Sequence, residues 1–477
     1  MNKVRIYPFS LSILMIVVFS FNLSAQTSQS GKMEGKPNVI IILVDDLGYN
    51  DVGFNGCQDI PTPNIDRIAT NGVKFTEGYV SNPVCGPSRA GLITGRYQDR
   101  FGFGRNPLFA PNDINQGLPL SEETLATVLK REGYHGMAIG KWHLGGHKDL
   151  RPLKRGFDEF FGFLTGGHYY FPEDWVLNDL SELTNQYSAY KTKLLKNDSR
   201  IDETEYLTDA LSREAVNFVS NKREEPFFLY LAYNAPHTPL QATEKYLNRF
   251  SHIENKKRRT YAAMVSAVDD GVGQILDALE NYDLAKNTMV YFLSDNGGPE
   301  KHNGSDNGVL REGKGWLYEG GIRVPFAMQW KGMIPAGVAY HKPVISLDIF
   351  ATVSAAAKAK PKNKLDGVNL LPFLAGTNNA TPHKTLYWRQ FDKESYAVRI
   401  GDLKLVNADG NLEELFNLSK DTGELTNLIN DNPKIKKKYS RLMEAWIKEL
   451  KDPLFLGLSH DKQYNSAHPN RYQIEKY

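Results

Sequence analysis

The feature of this sequence that most constrains its fold is the run from Asn38 to Val44, in which every residue after the first is Val, Ile or Leu. A strand with one face in solvent alternates apolar and polar residues, whereas an unbroken apolar run is typical of a strand buried on both faces. Similar runs occupy residues 226–232 and 288–293. Because parallel sheets covered by helices on both faces produce this pattern, the runs predict an α/β sandwich.

Helical segments lie between these apolar runs. Apolar residues at helical spacing predict helices at residues 121–132, 208–220 and 258–279. Strands that alternate with helices in this way are typical of a largely parallel sheet with a helical layer on each face.

The pattern changes beyond about Leu374, where short strand-like pieces replace the longer runs. They lie at residues 385–388, 396–400 and 402–406, and a helix is predicted at residues 434–450. We therefore expect a catalytic domain at residues 26–374 and a smaller C-terminal α+β subdomain, with sheet, helix and tail, at residues 375–477.

The first 25 residues have the composition of an export signal. Lys3 and Arg5 precede an apolar stretch at residues 11–19, and small residues end at Ala25, where a signal peptidase would cleave. A membrane anchor is the alternative interpretation, but the apolar stretch is short for a membrane span and polar residues 26–30 follow it. We predict an exported protein, periplasmic or secreted, with no membrane span after cleavage.

Charge and cysteine content exclude two classes of protein. The formal net charge of +2 shows no excess of basic residues for a nucleic-acid partner. Two cysteines, Cys57 and Cys85, are too few for a disulfide framework in an exported chain of 477 residues. A single bridge between them is one interpretation, and Cys85 has another that is developed below.

Polar side chains directly follow two of the predicted strands. Asp45 and Asp46 come after the first apolar run, and Asp295 and Asn296 come after the run at 288–293. In open α/β sheets the ligand crevice lies at the carboxyl ends of the strands, so these residues are expected to converge. Their oxygen atoms suit calcium or magnesium better than a transition metal. The alternative is that they are turn or helix-capping residues, a common use of Asp and Asn.

Neighbouring strand residues point to opposite faces of a sheet. Asp45 and Asp46 can therefore reach one ion only if the chain bends beside them. We expect Leu47 and Gly48 to supply that bend.

The segment around Cys85 carries the strongest functional signal. Pro87 suits the first turn of a helix, so residue 85 should lie at a helix N-terminus that favours an anion. A thiol in that position would be acidic, which makes an ordinary cysteine nucleophile one interpretation. However, Cys85, Pro87, Ser88 and Arg89, followed by residues 94–96, closely resemble the signature of the type I sulfatases, in which this Cys is oxidised to Cα-formylglycine.

Other segments resemble further motifs of this family, in the family's order, across roughly residues 36–450. They lie at Gly133–Tyr134 with Gly140–Gly145, at Ala235–Leu240, at Ser294–Gly298 and at Gly313–Pro325. The resemblance implies the alkaline-phosphatase-like fold, with a mixed central sheet sandwiched by helices, and points towards bacterial polysaccharide sulfatases.

The resemblance also implies a set of site residues. One Ca²⁺ ion would be bound by Asp45, Asp46, residue 85 as formylglycine, Asp295 and Asn296. Arg89, Lys141 and Lys314 would attract the sulfate anion. His237 would protonate the leaving oxygen, and His143 would act as the base that releases sulfate from the formylglycine.

Two other functions share parts of this pattern. A phosphonate or phosphate monoester hydrolase can have the same fold and metal arrangement, but the complete set of Lys141, His143, His237 and Lys314 favours sulfate. A protein that binds sulfated glycans without catalysis would be expected to lack Cys85 or a metal carboxylate, and this sequence has both.

The substrate implied by export and by the family is a sulfated polysaccharide or its oligosaccharides. Algal polymers such as ulvan, carrageenan or fucan are favoured over animal glycosaminoglycans. The loops expected to choose the sugar lie at residues 101–115, 166–197 and 300–309, and the predicted sugar contacts in or near them are Arg105, His168 and His302. The implied protein partner is a formylglycine-generating or anaerobic sulfatase-maturing enzyme.

Overall fold

The structure is a computed structural model that describes Met1 and residues 35–178, 180–410 and 412–472. The predicted signal segment at residues 1–25 lies outside these ranges, apart from Met1. The strands are β1 Asn38–Val44, β2 Val73–Phe75, β3 Gly78–Tyr79, β4 His135–Lys141, β5 Glu159–Phe163, β6 Leu195–Lys196, β7 Ser199–Arg200, β8 Phe227–Ala232, β9 Thr288–Ser294, β10 Phe326–Gln329, β11 Val338–Tyr340, β12 Val344–Ile345, β13 Leu386–Gln390, β14 Ser395–Ile400, β15 Leu403–Asn407 and β16 Glu413–Asn417. The helices are α1 Pro63–Thr70, α2 Cys85–Thr94, α3 Leu125–Arg131, α4 Leu207–Ser220, α5 Glu244–Leu247, α6 Lys256–Asn281, α7 Glu300–Asn303, α8 Glu319–Ile322, α9 Leu347–Ala356, α10 Leu371–Leu374, α11 Pro433–Ile447 and α12 Asp461–Ala467.

A ten-stranded mixed sheet forms the centre of the fold, in the order β11-β2-β10-β9-β1-β8-β4-β5-β6-β7. The strands from β9 to β5 in this order are parallel, whereas β10 runs antiparallel to β9. The three apolar runs of the sequence are the three adjacent strands β9, β1 and β8 at the middle of the sheet. The predicted α/β class and the mixed sheet between helices are confirmed.

Each face of the sheet is covered by its own hydrophobic core. Helices α4 and α6 pack on one face, and α2, α3 and α9 lie on the other. Strand β1 serves both cores with alternate residues, because successive side chains of a strand point in opposite directions. Val39, Ile41 and Leu43 enter one core, and Ile40, Ile42 and Val44 enter the other.

One predicted helix is shorter than expected. The helix predicted at residues 121–132 begins at Leu125, with the Thr124 hydroxyl capping it by accepting the Thr127 N–H at 3.1 Å. Glu122 and Glu123 lie ahead of the helix and form ion pairs with Arg96 and Arg131. These ion pairs hold Glu122 and Glu123 outside the helix, although helical periodicity alone would place them in its first turn.

The C-terminal part is a four-stranded antiparallel meander, β13-β14-β15-β16, followed by helix α11. Strands β13, β14 and β15 and the helix lie where the sequence predicts them, although α11 ends at Ile447, whereas β16 was not predicted. The fully buried Lys404 ammonium joins this sheet to the larger part, with the Glu319 carboxylate at 2.8 Å and the Glu424 carboxylate at 2.9 Å. The predicted domain boundary between residues 374 and 375 stays a prediction.

Within the described ranges, no helix combines the length and the apolar character needed to cross a membrane.

Candidate active site

Two neighbouring strand ends bring the predicted metal ligands together. Val44 pairs with Ser294 across β1 and β9, so the residues that follow them leave the sheet at the same edge. The Asp295 N–H donates to the Val44 carbonyl at 3.0 Å. Ligand atoms of Asp45, Asp46, Asp295 and Cys85 all lie within 4.8 Å of one another, and all four residues are buried.

The chain bends at Asp46 itself rather than at Leu47 and Gly48, where the bend is expected from sequence. Asp46 has a φ of 65°, in the left-handed region that Asp tolerates better than most side chains. The Asn303 side-chain amide donates to the Asp46 carbonyl at 3.1 Å, and the Ser294 hydroxyl accepts the Leu47 N–H at 3.1 Å. These contacts hold a conformation that turns both carboxylates into one site.

The donor set fits a hard divalent cation. Asn296 Oδ1 is buried and has no hydrogen-bond partner among the described residues, while its amide nitrogen donates to Asp46 Oδ1 at 2.7 Å. A buried acceptor without a donor is costly unless a cation or water meets it. Three carboxylates and an amide oxygen are ligands that Ca²⁺ and Mg²⁺ prefer. Asp45, Asp46, Asp295, Asn296 and residue 85 are thus the residues that would hold such an ion.

Positive side chains surround the carboxylates. Lys141 Nζ lies 2.5 Å from Asp45 Oδ2, and Lys314 Nζ lies 2.7 Å from Asp46 Oδ1. The Arg89 guanidinium donates through Nε to Asp295 Oδ2 at 2.9 Å. Burial alone would raise the pKa of Asp46, but the Lys314 ammonium holds that pKa well below its ordinary value. Burial and the nearby Asp45 carboxylate raise the pKa of Asp295.

Cys85 is the first residue of α2 and is 2% exposed. Its Sγ lies 3.5 Å from Asp45 Oδ1, and the following N–H, of Gly86, donates to Asn106 Oδ1 at 2.8 Å. Burial raises the pKa of the Cys85 thiol to about 12, although Lys141 opposes the shift. The expectation that a thiol at this helix N-terminus would be acidic is therefore wrong, because burial outweighs the nearby cations. An ordinary thiolate nucleophile is disfavoured.

His143 and His237 both face this cluster as neutral imidazoles. Burial and the Lys141 ammonium lower the pKa of His143 well below its ordinary value. Burial and the Lys314 ammonium lower the pKa of His237 to about 3, although Asp46 opposes them. His237 Nδ1 lies 2.6 Å from the Thr238 carbonyl, which can only accept, so Nδ1 carries the proton. His237 Nε2 lies 3.7 Å from Asp46 Oδ2 and is the nitrogen that faces the site.

The three predicted sugar contacts have different surroundings. His168 is 0% exposed, and its ring nitrogens lie 2.9 Å and 2.8 Å from the carbonyl oxygens of Tyr169 and Thr192. The expectation that His168 contacts sugar is wrong, because a buried ring held between two carbonyls offers a ligand no polar atom. Arg105 is half-buried and forms an ion pair with Asp392, and His302 is exposed on α7; their sugar contacts stay predictions.

Sequence reasoning missed Asn307, which joins the loops of the site. The fully buried side chain accepts the N–H groups of Tyr49 and Gly298 at 3.4 Å and 3.0 Å. It donates to the carbonyls of Gly298 and Glu312 at 2.9 Å and 3.1 Å. One amide thereby links the loops after β1 and β9 to the loop that carries Lys314. A single Asn in a loop of polar residues has no sequence pattern that would distinguish it.

Comparison with known proteins places the chain in a family. A family model described as Sulfatase matches residues 37–359, and one described as N-sulphoglucosamine sulphohydrolase, C-terminal, matches residues 312–452. The N-acetylgalactosamine-6-sulfatase of Homo sapiens is 37% identical over 357 residues, which cover 71% of this chain and 66% of that protein. The match thus spans slightly less than two thirds of that relative. The chain belongs to the sulfatase family, whose class is sulfuric ester hydrolase.

Solved structures confirm the alkaline-phosphatase-like fold of this family. Ps i-CgsB, in complex with k-i-k-neocarrahexaose, is 40% identical with a TM-score of 0.83, over 92% of this chain and 98% of that chain. The PsFucS1 sulfatase from Pseudoalteromonas sp. is 28% identical with a TM-score of 0.74, over 87% and 90% of the two chains. The phosphonate monoester hydrolase of Agrobacterium radiobacter, 21% identical with a TM-score of 0.63 over 87% and 96%, shares the fold.

Proposed function

We propose that this protein hydrolyses sulfate monoesters on a sulfated polysaccharide or its oligosaccharides. The observation that carries the proposal is the buried cluster in which Cys85 meets three carboxylates at the carboxyl edge of the sheet. Lys141, Lys314 and both histidines surround that cluster, in a chain of the sulfatase family.

Residue 85 is proposed to be Cα-formylglycine, and the bound ion to be Ca²⁺. A hydrated formylglycine would supply the oxygen nucleophile, and a Ca²⁺ ion held by Asp45, Asp46, Asp295 and Asn296 would supply positive charge beside it. The support is the resemblance of residues 85–96 to the sulfatase signature, together with the burial of Cys85 beside Asp45 in a chain of that family.

The side chains of the site divide the remaining work. Lys141, Lys314 and Arg89 attract the sulfate anion and orient it by their charge. His237 would take up a proton at Nε2, which a bound anion favours, and pass it to the leaving oxygen. His143 is held neutral by burial and the nearby cations, so an imidazole nitrogen is free to accept a proton from residue 85 as sulfate is released.

A polysaccharide of the carrageenan type is the favoured substrate. The support is the 40% identity, over 92% of this chain, to a protein solved with a neocarrahexaose. Other algal polymers, such as ulvan or fucan, are the next candidates. The likeness to a phosphonate monoester hydrolase shows a shared fold alone and does not favour that activity.

Export and maturation complete the proposal. Export to the periplasm or the medium rests on the sequence of residues 1–25. Conversion of Cys85 requires a formylglycine-generating or anaerobic sulfatase-maturing enzyme as a partner. That partner must act before folding is complete, since Cys85 is 2% exposed in the folded chain.

Sulfate release from a panel of carrageenan, ulvan, fucan and glycosaminoglycan oligosaccharides tests the function. The mass of the peptide that contains residue 85 should first confirm conversion to the aldehyde. We expect release from at least one algal oligosaccharide, loss of that activity with a calcium chelator, and its return with added Ca²⁺. A Cys85→Ser variant, made in a host that converts only cysteine, is the matched control. Full activity in that variant, or silence of converted protein across the panel, would contradict the proposal.

A further inference from the structure

The turn between β13 and β14 contacts segments of the chain that flank the candidate active site. This turn, Phe391–Lys393, belongs to the C-terminal sheet, yet it and the strand end before it contact three segments of the larger part. The contacts are a 3.0 Å hydrogen bond from Asn82 to the Arg389 carbonyl, the Arg105 guanidinium 4.9 Å from the Phe391 ring centroid, and a 2.8 Å hydrogen bond from Lys393 Nζ to the Gly315 carbonyl.

Each of these three segments is adjacent to a group of the site. Asn82 lies three residues before Cys85. Arg105 precedes Asn106, whose side chain accepts the N–H that follows Cys85. Gly315 follows Lys314 directly, and its N–H donates to the carbonyl of residue 83 at 2.9 Å. The turn therefore packs against the three segments that lead into Cys85, Asn106 and Lys314.

Three cations lie in or beside this turn, and they differ in their partners. Arg105 forms an ion pair with Asp392, and Arg389 forms one with Asp452. Lys393 has no ion pair with any carboxylate of the described ranges. It is half-buried instead, with its Nζ 3.7 Å from the centroid of the Trp316 ring.

A partly desolvated ammonium outside ion-pair distance of the described carboxylates attracts an anion more strongly than one in open water, although Glu312 lies close enough to offset part of its charge. The indole ring and the Gly315 carbonyl hold this ammonium without neutralising it. Because Gly315 directly follows Lys314, the Lys393 ammonium binds the backbone next to a cation of the site. Such an arrangement fits a substrate that carries more than one negative group.

We propose that Lys393 is a specificity-determining residue, which binds a second anionic group on a sugar next to the one whose ester is cleaved. That group is a sulfate or a carboxylate, since both accept from an ammonium. The inference rests on the proposed function and narrows its substrate to a glycan with anions on successive sugars.

The experiment compares Lys393→Met with the wild type on two substrates. One is the multiply charged oligosaccharide that the wild type hydrolyses best, and the other is the shortest fragment that keeps the cleaved ester as its one anionic group. We expect kcat/KM for the multiply charged substrate to fall by about tenfold or more, the usual effect of losing a hydrogen bond to a charged group. The single-ester fragment should change by less than about twofold.

Controls separate this role from a general loss of structure. Lys420→Met removes an exposed lysine in the turn that follows β16 and should leave the hydrolysis of both substrates unchanged. Lys393→Arg keeps the charge and should recover most of the loss, and Lys393→Gln replaces Lys393→Met if the latter is unstable. Oligosaccharides with a neighbouring uronate or a neighbouring sulfate show which anion is bound.

Equal losses on both substrates, or no loss on either, would overturn the role of Lys393 while leaving the sulfatase proposal intact. If the wild type releases sulfate from no oligosaccharide, the proposed function fails, and the inference fails with it.

Discussion

At the scale of single residues, the site combines groups whose charge states the surrounding protein sets. The Cys85 thiol, His143 and His237 are all neutral in the folded protein, whereas Asp46 and Lys314 are charged. Burial opposes every charge here, and charge remains where an ion pair compensates it. Asp46 with Lys314 is one such pair, with 2.7 Å between Oδ1 and Nζ.

The histidines provide the residue-scale prediction. We expect His143→Ala and His237→Ala each to lower kcat by about 100- to 10,000-fold, the usual contribution of a general acid or base. Substrate binding should survive, because the cations of Arg89, Lys141 and Lys314 remain. Steady-state kinetics, with calorimetric binding of the same oligosaccharide, measures both effects. An unchanged kcat in either variant would show that its imidazole transfers no proton in the rate-limiting step.

At the scale of elements, the close approach of β4 to its neighbours places Lys141 and His143. Gly140 has a φ of 92°, and a Cβ added there would lie 2.0 Å from the Ala232 carbonyl oxygen of β8. Gly162 of β5, its partner on the other side, is as tightly placed, with an added Cβ 2.2 Å from the Gly140 carbonyl oxygen. The strand that delivers Lys141 can have no side chain at position 140.

Gly140→Ala is therefore expected to be strongly destabilising. The left-handed backbone and the backbone clash together should lower the free energy of unfolding by about 3 kcal/mol or more. Gly133→Ala is the matched control, because Gly133 has a φ of 86° but nothing within 4 Å of an added Cβ. Its cost should be about 1–2 kcal/mol, from the backbone alone. Denaturant unfolding measures the free energy of unfolding of both variants. An equal loss in both would show that the close approach of β4 to its neighbours adds no cost at position 140.

At the scale of the whole molecule, the two sheets are joined by buried charges as well as by apolar packing. Lys404 of β15 is fully buried between Glu319, at the start of α8, and Glu424. The Glu424 carboxylate also accepts the Glu319 N–H, which fixes the start of a helix just after the Lys314 loop. The C-terminal sheet thus supports the loop of an active-site residue.

Lys404→Met tests this junction. Removing the ammonium takes the 2.9 Å ion pair from the buried Glu424 and leaves the buried Glu319 with the longer 3.4 Å ion pair to Arg323, which should cost about 3–5 kcal/mol of stability. The unfolding transition, measured by both fluorescence and circular dichroism, should shift as a whole to lower denaturant concentration. A shift no larger than that of the exposed-site variant Lys420→Met would contradict the structural role of the ion pairs.

Much of the fold follows from local pattern. The runs at β1, β8 and β9 are apolar at consecutive positions because both their faces are buried, and that requirement is readable residue by residue. The start of α3 is not readable in this way. Thr124 caps it while ion pairs to Arg96 and Arg131 hold the two residues before the cap, and Arg96 is distant in sequence.

The sequence by itself determined the three middle strands of the central sheet, the family resemblance and the set of residues expected to converge at residue 85. The motifs specify which side chains are present, and their positions after parallel strands place those side chains at the carboxyl edge of the sheet. Only the tertiary structure decided the bend at Asp46, the burial of His168, the high pKa of Cys85 and the place of Lys393 beside Gly315. Each of these depends on contacts between segments distant in the chain, and on the removal of water, which local sequence does not encode.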